Sequence, residues 1–195
     1  MTAKMLMEKA TARRKLDQYF TPAHATRELL KHIRLSGNVF ECCVGDGGIY
    51  NELTGWDMLW SNDLDPNLKA DFHNDVTQDW SFVFERCDWV VSNPPFNVAS
   101  RILPLAFNYC RIGMAMLLRL SYLEPCLDRD KWLARHPLTK LIVLPRISFT
   151  GDGKTDNVTC AWMVWDKTAA QQEIVVVPRS YEYSTTIFRG EEGKQ

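Results

Sequence analysis

Apolar positions along the chain follow two rhythms. Short runs at Asn38 to Cys43, Met58 to Asn62, Cys87 to Ser92, Ile112 to Leu120, Thr139 to Leu144, Val158 to Asp166 and Glu173 to Pro178 have the length and content of strands. Ile112 to Leu120 is nearly continuous, as in a central parallel strand buried on both faces. Three segments, Ala23 to Arg34, Val98 to Tyr109 and Leu127 to Arg135, repeat apolar residues at helical spacing, the second despite Pro104. Thr21 stands where it would cap the first of them, with Pro22 as its first residue and Leu29, Leu30 and Ile33 as its stripe. Val44 to Gly48 is a glycine-rich turn into a short helix, Ile49 to Leu53, and a short extended piece lies near Asp71 to His73. The last two strands are close enough in sequence to predict antiparallel pairing at a sheet edge. Alternating strands and helices give an α/β fold. Residues 17–180 form one domain, preceded by a helix or mobile arm at 1–16 and followed by a tail at 181–195.

The first strand, glycine turn, helix and second strand end on Asp63-Leu64-Asp65-Pro66, about 20 residues past the glycines. That order suits a βαβ unit binding a nucleoside, with glycines letting the backbone approach the ligand and a strand-end carboxylate accepting from ribose hydroxyls. Asp63 comes first after the strand and is the preferred ribose acceptor; Asp65 reads as a cap. The turn is not GxGxxG and no Lys-Ser/Thr follows it, which disfavours dinucleotides and triphosphates.

A second concentration of chemistry follows Trp89-Val90-Val91. Ser92-Asn93-Pro94-Pro95-Phe96 places an amide, two prolines and an aromatic ring at a strand's carboxyl end, where open α/β sheets hold ligands. The prolines turn the backbone and leave carbonyls as acceptors, while Phe96 offers a flat face.

Composition is that of an ordinary globular protein, 46% hydrophobic and 24% charged. No apolar run approaches the length of a membrane span, and the charged start, Met1 to Lys15, lacks a signal-peptide core, so a cytoplasmic location is expected. The six cysteines and four histidines show no metal-ligand spacing and read as reduced thiols and scattered imidazoles. A pI near 6.4 argues against a general nucleic-acid coat protein. Charge is nonetheless divided: Glu41 to Asp88 is rich in acids, whereas Arg101 to Arg146 is predominantly basic.

Asn93-Pro94-Pro95-Phe96 resembles the catalytic tetrapeptide of S-adenosylmethionine-dependent amino methyltransferases, especially DNA N6-adenine enzymes. The resemblance extends in order over residues 17–97. Phe20-Thr21-Pro22 is similar to the motif that closes over the methionine end of the cofactor. Glu41 to Gly47, including Cys42, Gly45 and Gly47, is similar to the glycine loop, with Glu41 toward the cofactor's amino group. Asp63 and Leu64 match the ribose position, and Asp75 and Val76 the adenine position, although Asp75 also reads as a turn cap. Cys42 stands where the family commonly has proline, which changes the stiffness of the turn and leaves the acid in place.

The resemblance implies a Rossmann-like class I methyltransferase fold: a mostly parallel seven-stranded sheet, helices on both faces, and an antiparallel edge strand. It implies methyl transfer from S-adenosylmethionine to adenine N6 in duplex DNA. The Asn93 side-chain oxygen and Pro94 carbonyl would accept the two amine N–H bonds, and Phe96 would stack on a base rotated out of the helix. RNA adenine, another planar amine or amide, or a silent nucleic-acid-binding subunit remain as alternatives. Candidate target-reading segments are Ser121 to Arg135 and the loop Ser148 to Asn157 with Arg146 and Lys154. The seven tryptophans read as core or sheet-face residues.

Overall fold

The computed structural model describes residues 20–53, 55, 59–83, 86–149 and 158–179. The expected arm, the 181–195 tail, Trp56 and most of the glycine-rich loop with Lys154 lie outside the described residues. The described elements are α1 (Ala23–His32), β1 (Val39–Glu41), a 3-10 turn (Tyr50–Leu53), β2 (Leu59–Ser61), β3 (Trp89–Ser92), α2 (Ala99–Tyr109) and β4 (Gly113–Arg119). A second 3-10 turn (Leu120–Leu123), α3 (Asp130–Arg135), β5 (Lys140–Val143), β6 (Cys160–Asp166) and β7 (Glu173–Val176) follow.

The strands form one sheet in the order β2-β1-β3-β4-β6-β5-β7. β2, β1, β3 and β4 are mutually parallel, β6 is antiparallel to both of its neighbours, and β7 is parallel to β5. A parallel bridge from Asn62 to Phe72 adds a rudimentary further pairing beyond β2, where the short extended piece is predicted.

Alternation along each strand supplies two apolar layers. Phe40, Val90, Met114, Met116, Met163 and Trp165 face one side, where Ile102, Leu103 and Ala106 of α2 cover them. Val39, Trp89, Val91, Ala115, Leu117 and Trp162 face the other, against Ala25 and Leu29 of α1. Both faces are therefore dry, as a mainly parallel sheet requires. Trp80, Trp89, Trp162 and Trp165 are buried, in keeping with the core reading of the tryptophans. Trp162 Nε1 donates to the Ala25 carbonyl at 2.8 Å, which satisfies its one polar atom inside the layer.

Three local expectations differ. Pro22 occupies the N-cap position of α1, with no side-chain capping bond, and Thr21 is committed elsewhere. The helix predicted at Ile49 to Leu53 is a single 3-10 turn. β6 does not pair with β7: it lies between β4 and β5, two strands in from the β7 edge. The reason is burial. β6 is covered along nearly its whole length, while β7 exposes Glu173, Ile174 and Val176 and is tolerated only at an edge.

Candidate functional site

The carboxyl ends of β1, β2 and β3 converge on a cavity of about 410 Å³. Each wall arises from a different local rule. Beyond β1, Gly45 and Gly47 adopt φ of 56° and 86°, a region that side chains disfavour, and the chain reverses over Val44 to Gly47. A Cβ on Gly48 would collide with the Thr21 carbonyl oxygen, and one on Gly45 would lie 3.2 Å from the Phe20 ring. The glycine loop thus packs flush against Phe20-Thr21, forming one end of the cavity.

Asp63, at the end of β2, is buried, and its two carboxylate oxygens accept from the backbone N–H groups of Gly45 and Asp65, each at 2.9 Å. It couples the glycine loop to the β2 turn and lines the cavity, and each oxygen retains the capacity to accept a further bond. Asp65, by contrast, uses one oxygen to receive both the backbone and side-chain N–H groups of Asn67.

Asp75 accepts from the Thr77 backbone N–H at 2.9 Å and hydroxyl at 2.7 Å, so it caps its turn and also lines the cavity. The Thr77 hydroxyl and N–H hold its carboxyl below the ordinary value. Behind it, the buried Trp80 indole donates to the Val76 carbonyl at 2.9 Å and fixes that turn on the core.

The third wall is the Asn93-Pro94-Pro95 turn. The Asn93 amide nitrogen donates to the Thr21 hydroxyl at 3.0 Å. Asn93, Pro94 and Pro95 line the cavity; Phe96 packs partly buried against both core layers, with the Arg119 guanidinium 4.6 Å from its ring centroid.

Phe20, Thr21, Cys42, Gly45, Asp63, Leu64, Asp75 and Val76 also line this cavity, whereas Pro22, Glu41, Gly47 and Phe96 do not. Glu41 sits behind the loop, 1% exposed, next to cavity-lining Cys42. Burial holds its carboxyl well above the ordinary range, and Cys42, Asp63 and Asp46 reinforce that direction. Its Oε2 is buried with no hydrogen-bond partner among the described residues. Cys43 donates toward the Cys42 sulfur at 4.0 Å; that bond and burial push the Cys43 thiol up, and the same bond draws the Cys42 thiol down.

Sequence reasoning passed over Asn62. Fully buried, it donates through Nδ2 to the carbonyls of Cys42 (3.2 Å) and Asn74 (3.0 Å), and its Oδ1 accepts from Asn74 N–H at 2.9 Å. It therefore ties the glycine loop to the turn bearing Asp75. A polar residue ending an apolar strand is the only signal that marks it. His73, also missed, donates from Nδ1 to the Asp63 carbonyl at 3.0 Å.

The cavity volume is in the range of small-molecule sites. Its lining suits a nucleoside bearing a charged tail: a carboxylate at β2, a second at the Asp75 turn, a glycine cradle, and the unpaired Glu41 oxygen behind it. Among the described residues no group of three or more His, Cys, Asp or Glu side chains is disposed to hold a metal ion.

No protein-family model matches the chain, and no curated protein matches it in sequence. Solved structures do match in fold. A candidate RNA methyltransferase from Pyrococcus horikoshii is 21% identical with a TM-score of 0.58, over 84% of this chain and 99% of that one. A type I restriction-modification methyltransferase subunit from Streptococcus thermophilus is 13% identical with a TM-score of 0.59, over 82% of this chain. A candidate class I S-adenosylmethionine-dependent methyltransferase from Listeria monocytogenes is 12% identical with a TM-score of 0.58, over 83% of this chain. The chain spans 47% of the Streptococcus protein and 65% of the Listeria protein. The fold is the Rossmann-like one of class I methyltransferases.

Proposed function

We propose that this protein transfers a methyl group from S-adenosylmethionine to the N6 amino group of adenine in DNA. The observation that carries the reading is the Asn93–Thr21 bond at the cavity wall. The amide nitrogen of Asn93 donates to Thr21, and its Oδ1 is by chemistry an acceptor. Pro94 and Pro95 have no N–H, so their part of the loop offers acceptors only. Such a surface selects a group with two N–H bonds, which an exocyclic amine has and a hydroxyl lacks.

When bound, the cofactor supplies a methyl group made electrophilic by its sulfonium. Asp63 would hold its ribose, Asp75 and Val76 its adenine, and the Gly45–Gly47 loop its backbone-facing edge. Phe20, Thr21 and Pro22 would close the methionine end, and Glu41 would favour its cationic amino group from behind Cys42. Asn93 Oδ1 and the Pro94 carbonyl would take the two target N–H bonds and turn the nitrogen lone pair out of the purine plane, a matter of positioning and electrostatics. Reaching that nitrogen in a duplex requires the base to leave the stack, and Phe96 is the ring on which it would rest.

Adenine in RNA is the second reading. It is favoured by the similarity that extends over 99% of a candidate RNA methyltransferase, compared with 47% of the restriction-modification subunit. Tritiated methyl transfer into duplex DNA, RNA and protein fractions, followed by nucleoside analysis, separates the possibilities. N6-methyladenine in DNA is the expected product; label confined to RNA or protein would move the assignment. Absence of calorimetric S-adenosylmethionine binding would favour a silent subunit.

A further inference from the structure

Arg119 ends β4, and its guanidinium carbon lies 4.6 Å from the centroid of the Phe96 ring. β4 runs parallel to β3 with Met116 opposite Ser92, so Arg119 projects three residues beyond that pair, level with the Asn93–Phe96 turn. Phe96 is held against both core layers, which fixes the ring. Stacked aromatic groups have centroids about 4.5 Å or more apart. The guanidinium therefore stands at the distance a stacked base would take, and two flat groups cannot share one ring face.

Charge around the turn is divided in the same sense. Asp46, Asp63, Asp65 and Asp75 line the cavity side of the turn, and Arg119 lies outside that lining, against Phe96. A phosphate is repelled from the first side and drawn to the second. Guanidinium chemistry suits both tasks, since it stacks on aromatic faces and grips phosphate through two parallel N–H bonds.

We propose that Arg119 is a positioning residue for the target nucleotide: its guanidinium keeps the Phe96 ring until a base takes that face, then passes to the phosphate beside the extruded base. This rests on the methyl-transfer reading above. The test is steady-state methyl transfer to unmethylated plasmid DNA over a series of salt concentrations, with wild type, Arg119→Lys and Arg119→Met compared. Calorimetric S-adenosylmethionine affinity serves as the control for folding.

Arg119→Met should raise KM for DNA about tenfold with cofactor affinity unchanged. It should also lower the salt slope of kcat/KM by about 0.9, the amount expected for one lost phosphate contact. Arg119→Lys should restore the slope while KM stays above wild type, because an ammonium grips phosphate without the flat stacking face. If Arg119→Met does not fold, as judged by the cofactor control, Arg119→Gln is expected to give the same loss of slope. An unchanged slope and KM in the folded neutral variant, with active wild type, would overturn the role of Arg119. Wild type that binds cofactor yet labels no DNA would instead remove the reading on which it rests.

Discussion

The Asn93 side-chain amide and the Thr21 hydroxyl, 72 positions apart, are joined by a 3.0 Å hydrogen bond in which the amide nitrogen donates. The bond fixes the amide nitrogen toward Thr21, at the cavity wall that both residues line. Two segments that read as separate motifs in sequence are therefore one device: Thr21, two residues before α1, orients Asn93, the residue after β3.

That coupling can be measured. Thr21→Val removes the acceptor at nearly constant shape, frees the amide to rotate, and should lower kcat about tenfold, the effect of losing roughly 1.4 kcal/mol of orientation. Thr21→Ser should keep near wild-type turnover. Asn93→Ala should reduce kcat by at least ~100-fold with cofactor affinity nearly intact. Single-turnover methyl transfer with calorimetry provides both readouts, and equal kcat for Thr21→Val and wild type would contradict the orienting role.

Asp63 receives two backbone N–H groups in addition to its place on the cavity wall. Asp63→Ala should weaken S-adenosylmethionine binding more than tenfold and destabilise the fold by about 2 kcal/mol, since buried donors are left unpaired. Asp63→Asn retains one acceptor and should fall between. Isothermal titration and urea unfolding give the two numbers.

Glu41 should make stability fall with rising pH. Its folded carboxyl is held well above the ordinary value of 4.5, so the folded state keeps a proton that the unfolded state releases. Its contribution is full below the unfolded pKa and is lost as pH rises through the folded one. Glu41→Gln should therefore flatten the melting temperature against pH above about 4.5 and raise it at pH 8, while weakening cofactor binding. A variant that melts lower than wild type throughout that range would show the carboxyl to be better solvated than its burial implies.

Asn62→Ala should be among the more damaging changes away from the reacting groups. It removes three hydrogen bonds and leaves the Cys42 and Asn74 carbonyls without that donor. The expected loss is about 3 kcal/mol in urea unfolding. Cofactor affinity should fall as well, because the two loops would no longer be tied.

Much of this arrangement is visible in the residues themselves. Trp89 to Ser92 is uniformly buried, as its apolar run predicts, and the acids and glycines sit at strand ends because short strands followed by turn formers leave little other choice. What escapes a sequence reading is non-local. Thr21 has the chemistry of a helix cap, and only the fold brings a stronger claimant, Asn93, to its hydroxyl. β6 and β7 are near in sequence, yet β6 has too many apolar faces to serve at an edge and inserts between β4 and β5. Phe96 has the flatness to receive a base, but nothing local shows that Arg119 covers its ring.

The cavity wall runs from Phe20 to Ile102, and among the described residues nothing later in the chain contributes to it. The pocket is therefore written between residues 20 and 102, and among the described residues β4, β5, β6 and β7 add nothing to its wall.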